Sequence, residues 1–123
     1  MTLTGKQIYV VDDDEAVRDS LKVLLLTQGA EVRDFDSCEN FIAAYEPSTS
    51  ECLILDVNLP GMSGFDLLGR LRAAAILVPV ILISGNPGLD MLSRARQLGA
   101  IDLLDKPVGF PQLLESLTRA FKS

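Results

Sequence analysis

Short apolar runs alternate along the chain with segments in which apolar residues recur every three or four positions. Three runs are apolar almost throughout: IYVV at 8–11, CLIL at 52–55 and VPVILIS at 78–84. Continuous apolar runs of this length are typical of parallel strands that are buried on both faces of a sheet. Two weaker runs, EVRDF at 31–35 and IDLLD at 101–105, predict two further strands, of which the first is expected at a sheet edge.

A helical pattern follows each predicted strand. Apolar residues recur at helical spacing in five groups: Val17, Leu21, Leu24 and Leu25; Phe41, Ile42 and Tyr45; Leu67, Leu68 and Leu71; Met91, Leu92, Ala95 and Leu98; and Phe110, Leu113, Leu114, Leu117 and Phe121. Ser37 and Ser63 stand where N-terminal caps belong, and Gly29 stands where the first helix should end. Strands that alternate with helices require a parallel sheet covered on both faces. The sequence therefore predicts an α/β fold, a flavodoxin-like (βα)5 doubly wound parallel sheet with strand order 2-1-3-4-5.

Length and charge limit the classes of function. A chain of 123 residues fits a single domain over residues 1–123. The net charge of −6 argues against binding of nucleic acid or an anionic membrane by this domain. No apolar run reaches the roughly 18 residues of a membrane span, and no signal peptide opens the chain. We therefore expect a cytoplasmic protein without membrane contact.

Cysteine and histidine narrow the chemistry further. Cys38 and Cys52 show no metal-binding spacing, and Cys52, which opens an apolar run, is expected to be a buried free thiol. Histidine is absent, which excludes a histidine-based triad, a histidine metal site and a phosphohistidine within this chain.

Acidic residues gather directly after the first and third predicted strands. Asp12, Asp13, Asp14 and Glu15 follow the first strand, and Asp56 ends the third. In the predicted strand order these two strands are neighbours, and ligands bind at their carboxyl ends. Asp12, Asp13 and Asp56 are therefore expected to form a site of oxygen ligands that suits Mg²⁺. Asp14 and Glu15 are interpreted as first-turn residues that cap a helix and interact with its dipole.

A hydroxyl and an ammonium stand at the ends of the fourth and fifth predicted strands. Ser84 precedes Gly85, and Lys106 precedes Pro107; each position alone has an ordinary explanation as a strand end. Together with the acids they form the set that phosphoryl transfer needs, a carboxylate nucleophile with a cation and hydrogen-bond donors around it. Neither GxxxxGKS/T nor a GxGxxG after the first strand is present, so the phosphoryl donor must be another molecule.

Four motifs, VVDDDEAVRDSL, LILDVNLPGMSGFDLL, VILISGN and LGAIDLLDKP, resemble those of response regulator receiver domains of the CheY-like superfamily, over essentially the whole chain. The stretch DDDEAVRDSLKVLL followed by DSCENFI resembles the FixJ-like subgroup, in which the receiver controls a C-terminal DNA-binding domain. The resemblance implies a phosphoprotein of a two-component system that takes its phosphoryl group from a sensor histidine kinase. It would regulate transcription through an effector domain, and would catalyse its own phosphorylation and dephosphorylation without being a conventional enzyme.

The resemblance also assigns a metal site and a phosphoacceptor. Asp56 would accept the phosphoryl group. Asp13 would bind Mg²⁺ directly, Asp12 would bind it through water, and Asn58 would offer its backbone carbonyl.

Four further positions take roles by the same resemblance. Ser84 would turn toward the phosphoryl group, and Lys106 would pair with its oxygens. The bond between Lys106 and Pro107 is expected to be cis, although only about 5% of X-Pro bonds are. Gly64 is expected where the third helix needs close backbone approach.

Two features leave alternatives open. The family's switch residue, three positions before the lysine, is usually Tyr, Phe or His, whereas this chain has Leu103. Leucine has no ring to bury and no polar tip, so either the switch signal is weak or carried in another way, or leucine substitutes as a smaller reporter. The loop Gly85–Gly88 is either mobile in the free state, or Pro87 starts the fourth helix.

The expected output surface is the fourth helix, the fifth strand and the fifth helix. Its charged residues are Arg94, Arg96, Asp102, Asp105 and Arg119. This mixture of charges suits either a homodimer of two copies or a solvated face.

Three other functions compete with a phosphorylated switch. A non-switching, pseudo-receiver-like interaction module is supported only by Leu103, and a stand-alone receiver is equally compatible with the sequence. An aspartyl phosphatase requires a second acid two residues after the nucleophile, where Asn58 stands.

Overall fold

Five strands alternate with five helices in the computed structural model, which describes residues 2–122. The strands are β1 (Gln7–Val11), β2 (Glu31–Phe35), β3 (Glu51–Asp56), β4 (Val80–Ser84) and β5 (Asp102–Asp105). The helices are α1 (Glu15–Thr27), α2 (Cys38–Ala44), α3 (Gly64–Ala73), α4 (Leu89–Gln97) and α5 (Phe110–Lys122). All strand pairs are parallel, in the order β2-β1-β3-β4-β5. The predicted fold class and strand order are confirmed.

Serine caps explain where two of the helices begin. Ser37 accepts a hydrogen bond from the backbone N–H of Asn40, and Ser63 accepts one from Asp66, whose carboxylate accepts one back from the Ser63 N–H. Each contact satisfies an amide that the first helical turn leaves without an internal partner. The helix α4 begins with Gly88 as its N-cap. Pro87 lies one residue before that cap, so the alternative in which it starts the helix is wrong.

The predicted fourth strand, 78–84, was wrong by two residues at its start. Val78 and Pro79 precede β4, which begins at Val80. Pro79 has no N–H to donate to the ladder of a central strand, so the strand starts after it. The strand β2 lies at the edge of the sheet, as expected, and no residue in it is fully buried.

Two apolar layers cover the two faces of the sheet because side chains alternate along each strand. On one face Tyr9, Leu53, Leu55 and Leu82 pack with residues of α2, α3 and α4. On the other face Ile8, Val10, Ile54 and Ile81 pack with residues of α1 and α5. The carboxyl ends of the strands are left to open together at one edge. None of the helices within residues 2–122 is long and apolar enough to cross a membrane.

Candidate functional site

The register of the sheet places acids on neighbouring strand ends. Val11 pairs with Leu55, so Asp12 stands beside Asp56. Asp13 completes a cluster in which carboxylate oxygens of the three acids lie within 4.8 Å of one another. The three acids that the sequence placed at this edge are therefore brought together.

Lys106 bridges two of these carboxylates. Its Nζ lies 2.7 Å from Oδ2 of Asp12 and 3.0 Å from Oδ2 of Asp56. Asp12 is fully buried and Asp56 nearly so, while 21% of the Lys106 side chain is exposed. The backbone N–H of Lys106 donates to the Ser84 carbonyl, and the Lys106–Pro107 peptide bond is cis. The ammonium is thus held between two carboxylates that are closed off from solvent.

The electrostatics of the pocket favour an additional positive charge. Burial raises the pKa of the Asp56 carboxyl, and the charge of Asp12 adds to the effect, while the Asn58 N–H and Lys106 offset only part of it. Burial lowers the pKa of the Lys106 ammonium, but its contacts with Asp12 and Asp56 outweigh this, so the pKa lies above its ordinary value. One lysine therefore does not fully compensate the carboxylates.

The donor atoms of the pocket fit Mg²⁺. Oδ2 of Asp12 is buried and contacts the Lys106 ammonium at 2.7 Å. The three clustered carboxylates carry more negative charge than one ammonium compensates, so a second cation would lower their mutual repulsion. Asp13, in contrast, is exposed and opens the cluster to solvent. An all-oxygen set with access to water is what Mg²⁺ requires.

Ser84 and Asn58 contact each other at the end of β4. The Ser84 hydroxyl is buried and accepts hydrogen bonds from Nδ2 of Asn58 and from the backbone N–H of Asn86, each at 3.2 Å. The Asn58 N–H donates to Oδ1 of Asp56 at 3.0 Å. The sequence assigned only the backbone carbonyl of Asn58, and nothing in it indicated which strand end the side chain would reach.

The remaining acids of the opening run belong to the helix, as predicted. Asp14 is the N-cap of α1, and its Oδ1 accepts a hydrogen bond from Ala16 at 2.9 Å. Glu15 is the first residue of α1, where its charge interacts favourably with the helix dipole. The Asp14 N–H donates to Oδ1 of Asp12 at 2.9 Å, so the cap also orients a pocket acid.

Gly64 packs directly against the backbone that carries Asp56. A Cβ at Gly64 would lie 2.4 Å from the Asp56 carbonyl oxygen and 2.9 Å from Cα of Val57. Only glycine allows α3 to begin this close to the end of β3.

Leu103 is half-buried in β5 and packs against the α2–α4 face of the core. It lines a cavity of about 140 Å³ between α4 and β5, together with Leu92 and Ala95. Leu103 therefore borders open space between α4 and β5.

Three of the five charged residues on the expected output surface, Arg94, Asp102 and Arg119, have partners within the chain. Nη2 of Arg119 lies 2.5 Å from Oδ2 of Asp102, which also accepts a hydrogen bond from Ser116 at 2.8 Å. The guanidinium of Arg94 lies 4.4 Å from the ring centroid of Phe65 on α3.

The flavodoxin-like sheet carries its acid cluster at the carboxyl edge, where proteins of this fold class bind ligands. Residues 8–118 match the response regulator receiver domain. The chain belongs to this family, the receiver domains of two-component response regulators.

Transcriptional regulators are among its relatives. The chain is 36% identical over 122 residues to the transcriptional regulatory protein FixJ of Bradyrhizobium diazoefficiens, covering 99% of this chain and 59% of that protein. It is 37% identical over 115 residues to the response regulator protein TodT of Pseudomonas putida, covering 94% of this chain and 51% of that protein. The crystal structure of FixJ-N superposes with a TM-score of 0.86 at 33% identity, covering 97% of this chain and 95% of that one. The chain thus spans little more than half the length of these two relatives.

Proposed function

We propose that the chain is a single receiver domain that accepts a phosphoryl group on Asp56 from a phosphohistidine of a sensor histidine kinase. The observation that carries the proposal is the position of Lys106, whose Nζ joins the buried carboxylates of Asp12 and Asp56 at 2.7 and 3.0 Å. A structural lysine at a strand end would be solvated. Here it stands where it can pair with a phosphoryl oxygen on Asp56.

In the proposed step a carboxylate oxygen of Asp56 attacks phosphorus. A P–O bond forms, the P–N bond to the kinase histidine breaks, and that histidine takes up a proton. Lys106 stabilises charge on the transferring group, and Asp56 is held in place by the Asn58 N–H. Hydrolysis of the resulting acyl phosphate returns the domain to its starting state, so the domain catalyses both of its own reactions.

Asp12, Asp13, Asp56 and the carbonyl of Asn58 would hold Mg²⁺ beside Asp56. The ion would neutralise charge on the phosphoryl oxygens that the residues alone leave uncompensated. Asp12 would keep its contact with Lys106, and exposed Asp13 would set the side from which the cation enters.

Phosphorylation would be sensed through Ser84. Its hydroxyl is engaged by Asn58 and Asn86 in the present state, and turning toward a phosphoryl oxygen would break both contacts. Strand β5 pairs with β4, the strand that ends at Ser84. The change at Ser84 would therefore reach Leu103 and the surface formed by α4, β5 and α5. On this proposal the surface forms a homodimer and controls a DNA-binding effector domain in a cytoplasmic regulator.

Intact mass spectrometry tests the proposal. The protein is incubated with Mg²⁺ and acetyl phosphate, and one phosphoryl adduct is expected in the wild type and none in Asp56→Asn. Asp105→Asn, which alters an exposed acid at the end of β5, serves as the matched control and should be labelled normally. An adduct that persists in Asp56→Asn would rule out the assignment.

The non-switching interaction module is the second candidate because of the cavity beside Leu103. Size-exclusion chromatography with and without beryllofluoride separates the two. A shift to a dimer is expected for the switch, whereas identical elution of a beryllofluoride-bound domain would favour the module.

A further inference from the structure

Arg18, on the first turns of α1, connects the acid pocket to the edge strand. Its Nη1 donates to the backbone carbonyl of Asp12 at 2.8 Å, and its Nε donates to Oδ2 of Asp34 at 3.1 Å. Only 15% of the Arg18 side chain is exposed. The guanidinium therefore bridges two elements with its fixed fork of donors.

Asp34 is well suited to anchor that guanidinium. Lys22 contributes a second ion pair at 3.0 Å to its other oxygen. Although partial burial raises the pKa of the Asp34 carboxyl, the contacts of Lys22 and Arg18 outweigh the effect and hold the pKa below its ordinary value. The carboxylate stays charged at neutral pH and keeps the position of Arg18.

The contact of Arg18 with the Asp12 carbonyl fixes the orientation of the peptide unit between Asp12 and Asp13. Because the peptide unit is planar, fixing the Asp12 oxygen also fixes the N and Cα of Asp13. The preceding peptide unit is held by β2, since the backbone N–H of Asp12 donates to the Phe35 carbonyl at 3.1 Å. The Asp12 side chain has its own contacts with Asp14 and Lys106. Exposed Asp13 depends more on the orientation of this peptide.

We propose that Arg18, anchored on Asp34, is a positioning residue for the cation site: it orients the Asp12–Asp13 peptide so that both carboxylates face the same cation. The inference rests on the proposed function for the identity of the cation. Arg18 contacts the backbone carbonyl of Asp12, so its role toward the cation is exerted through the backbone of Asp12.

The direction in which Mg²⁺ affinity changes when Arg18 is removed distinguishes a positioning role from an effect of its charge. A positive charge near the acids opposes cation binding, so removal of Arg18 would strengthen Mg²⁺ binding if charge alone mattered. Positioning predicts the reverse. Loss of a residue that orients metal ligands weakens metal binding by about 10-fold or more, so Arg18→Met is expected to raise the Mg²⁺ dissociation constant about tenfold.

The test is calorimetric titration of the full chain with Mg²⁺, with Lys22→Met as the matched control. Lys22→Met also removes one cation from Asp34 but leaves the Asp12 carbonyl contact intact, and its affinity should stay within about twofold of the wild type, far from the tenfold loss expected of a positioning residue. Arg18→Lys keeps the charge but cannot make both contacts, and should also bind more weakly than the wild type. Unfolding in urea without metal establishes that each variant folds; if Arg18→Met does not, Arg18→Lys decides.

Unchanged or tighter Mg²⁺ binding in the Arg18 variants would overturn the inference, as would an equal loss in Lys22→Met. A wild type that binds no Mg²⁺ would overturn it too. A different result would contradict the proposed function, namely a wild type that binds Mg²⁺ but forms no adduct with acetyl phosphate. That result would leave the role of Arg18 intact.

Discussion

Nζ of Lys106 lies 2.7 Å from Oδ2 of Asp12, a carboxylate that is fully buried. Removal of one partner from a buried ion pair leaves the other charge uncompensated, which costs several kcal/mol. The contact therefore contributes to the stability of the free domain, in addition to the role proposed for it in phosphoryl transfer.

Lys106→Met is expected to lower the free energy of unfolding by about 3 kcal/mol in metal-free buffer, since Asp12 and Asp56 then repel each other without an ammonium between them. Urea unfolding at neutral pH measures the loss. Addition of Mg²⁺ should recover more stability in this variant than in the wild type. Lys122→Met, at an exposed position of α5, is the control and should change stability by less than about 0.5 kcal/mol. An equal effect in both variants would contradict the role of the pair.

Two glycines in α3 are expected to respond to alanine with opposite signs. Gly64→Ala would place a Cβ 2.4 Å from the Asp56 carbonyl oxygen, and forcing atoms into packed backbone destabilises by about 1–3 kcal/mol or more. Nothing lies within 4 Å of a Cβ at Gly69. Gly69→Ala should therefore stabilise the domain by about 0.5–1 kcal/mol, through helix propensity. Thermal unfolding of both variants provides the measurement, and equal shifts in one direction would show the close approach to be unimportant.

The ion pairs of Asp34 predict a pH dependence of stability. Its pKa is lowered in the folded state, so its contribution is present above the ordinary pKa near 3.9 and is lost as pH falls through the lower folded value. Asp34→Asn should thus destabilise the domain by about 1 kcal/mol at pH 7, the scale of partly exposed ion pairs. The difference from the wild type should shrink as the pH falls below about 4. Urea titrations at several pH values test this, and a constant difference would exclude it.

The two cysteines are expected to be unreactive in the folded domain. Burial raises the pKa of the Cys38 thiol to about 12, and burial likewise raises the pKa of Cys52. Alkylation requires the thiolate and access to it. Iodoacetamide at pH 8 should therefore label both thiols in guanidinium but neither in native buffer, as read by intact mass. Rapid labelling of the native protein would contradict their burial.

The patterns of the sequence predicted most of the fold because each signal is local. Continuous apolar runs marked the buried strands, and Ser37 and Ser63 marked helix starts that the structure confirms. The predicted start of β4 was wrong because Val78 continues the apolar pattern. The strand begins only after Pro79, which lacks the N–H that a central strand donates. Pro87 similarly fits a helix start, yet the chain uses Gly88 as the cap.

The acid cluster was also accessible from the sequence, since parallel strands in a known order bring Asp12 and Asp56 to one edge. The contacts around the cluster could not be predicted from the sequence. The hydrogen bond from Asn58 to Ser84 joins residues 26 positions apart, and the ion pair of Arg18 with Asp34 joins a helix to a strand.

The sequence by itself determined the alternation of strands and helices, the acids at the strand ends and the family to which the motifs belong. Only the tertiary structure decided that Arg18 reaches both the Asp12 carbonyl and Asp34, and that Arg119 pairs with Asp102. Hydrophobic periodicity and caps act within a few residues along the chain. The reach of a long side chain instead depends on how helices are rotated and placed against the sheet, which is settled only when the two apolar layers pack.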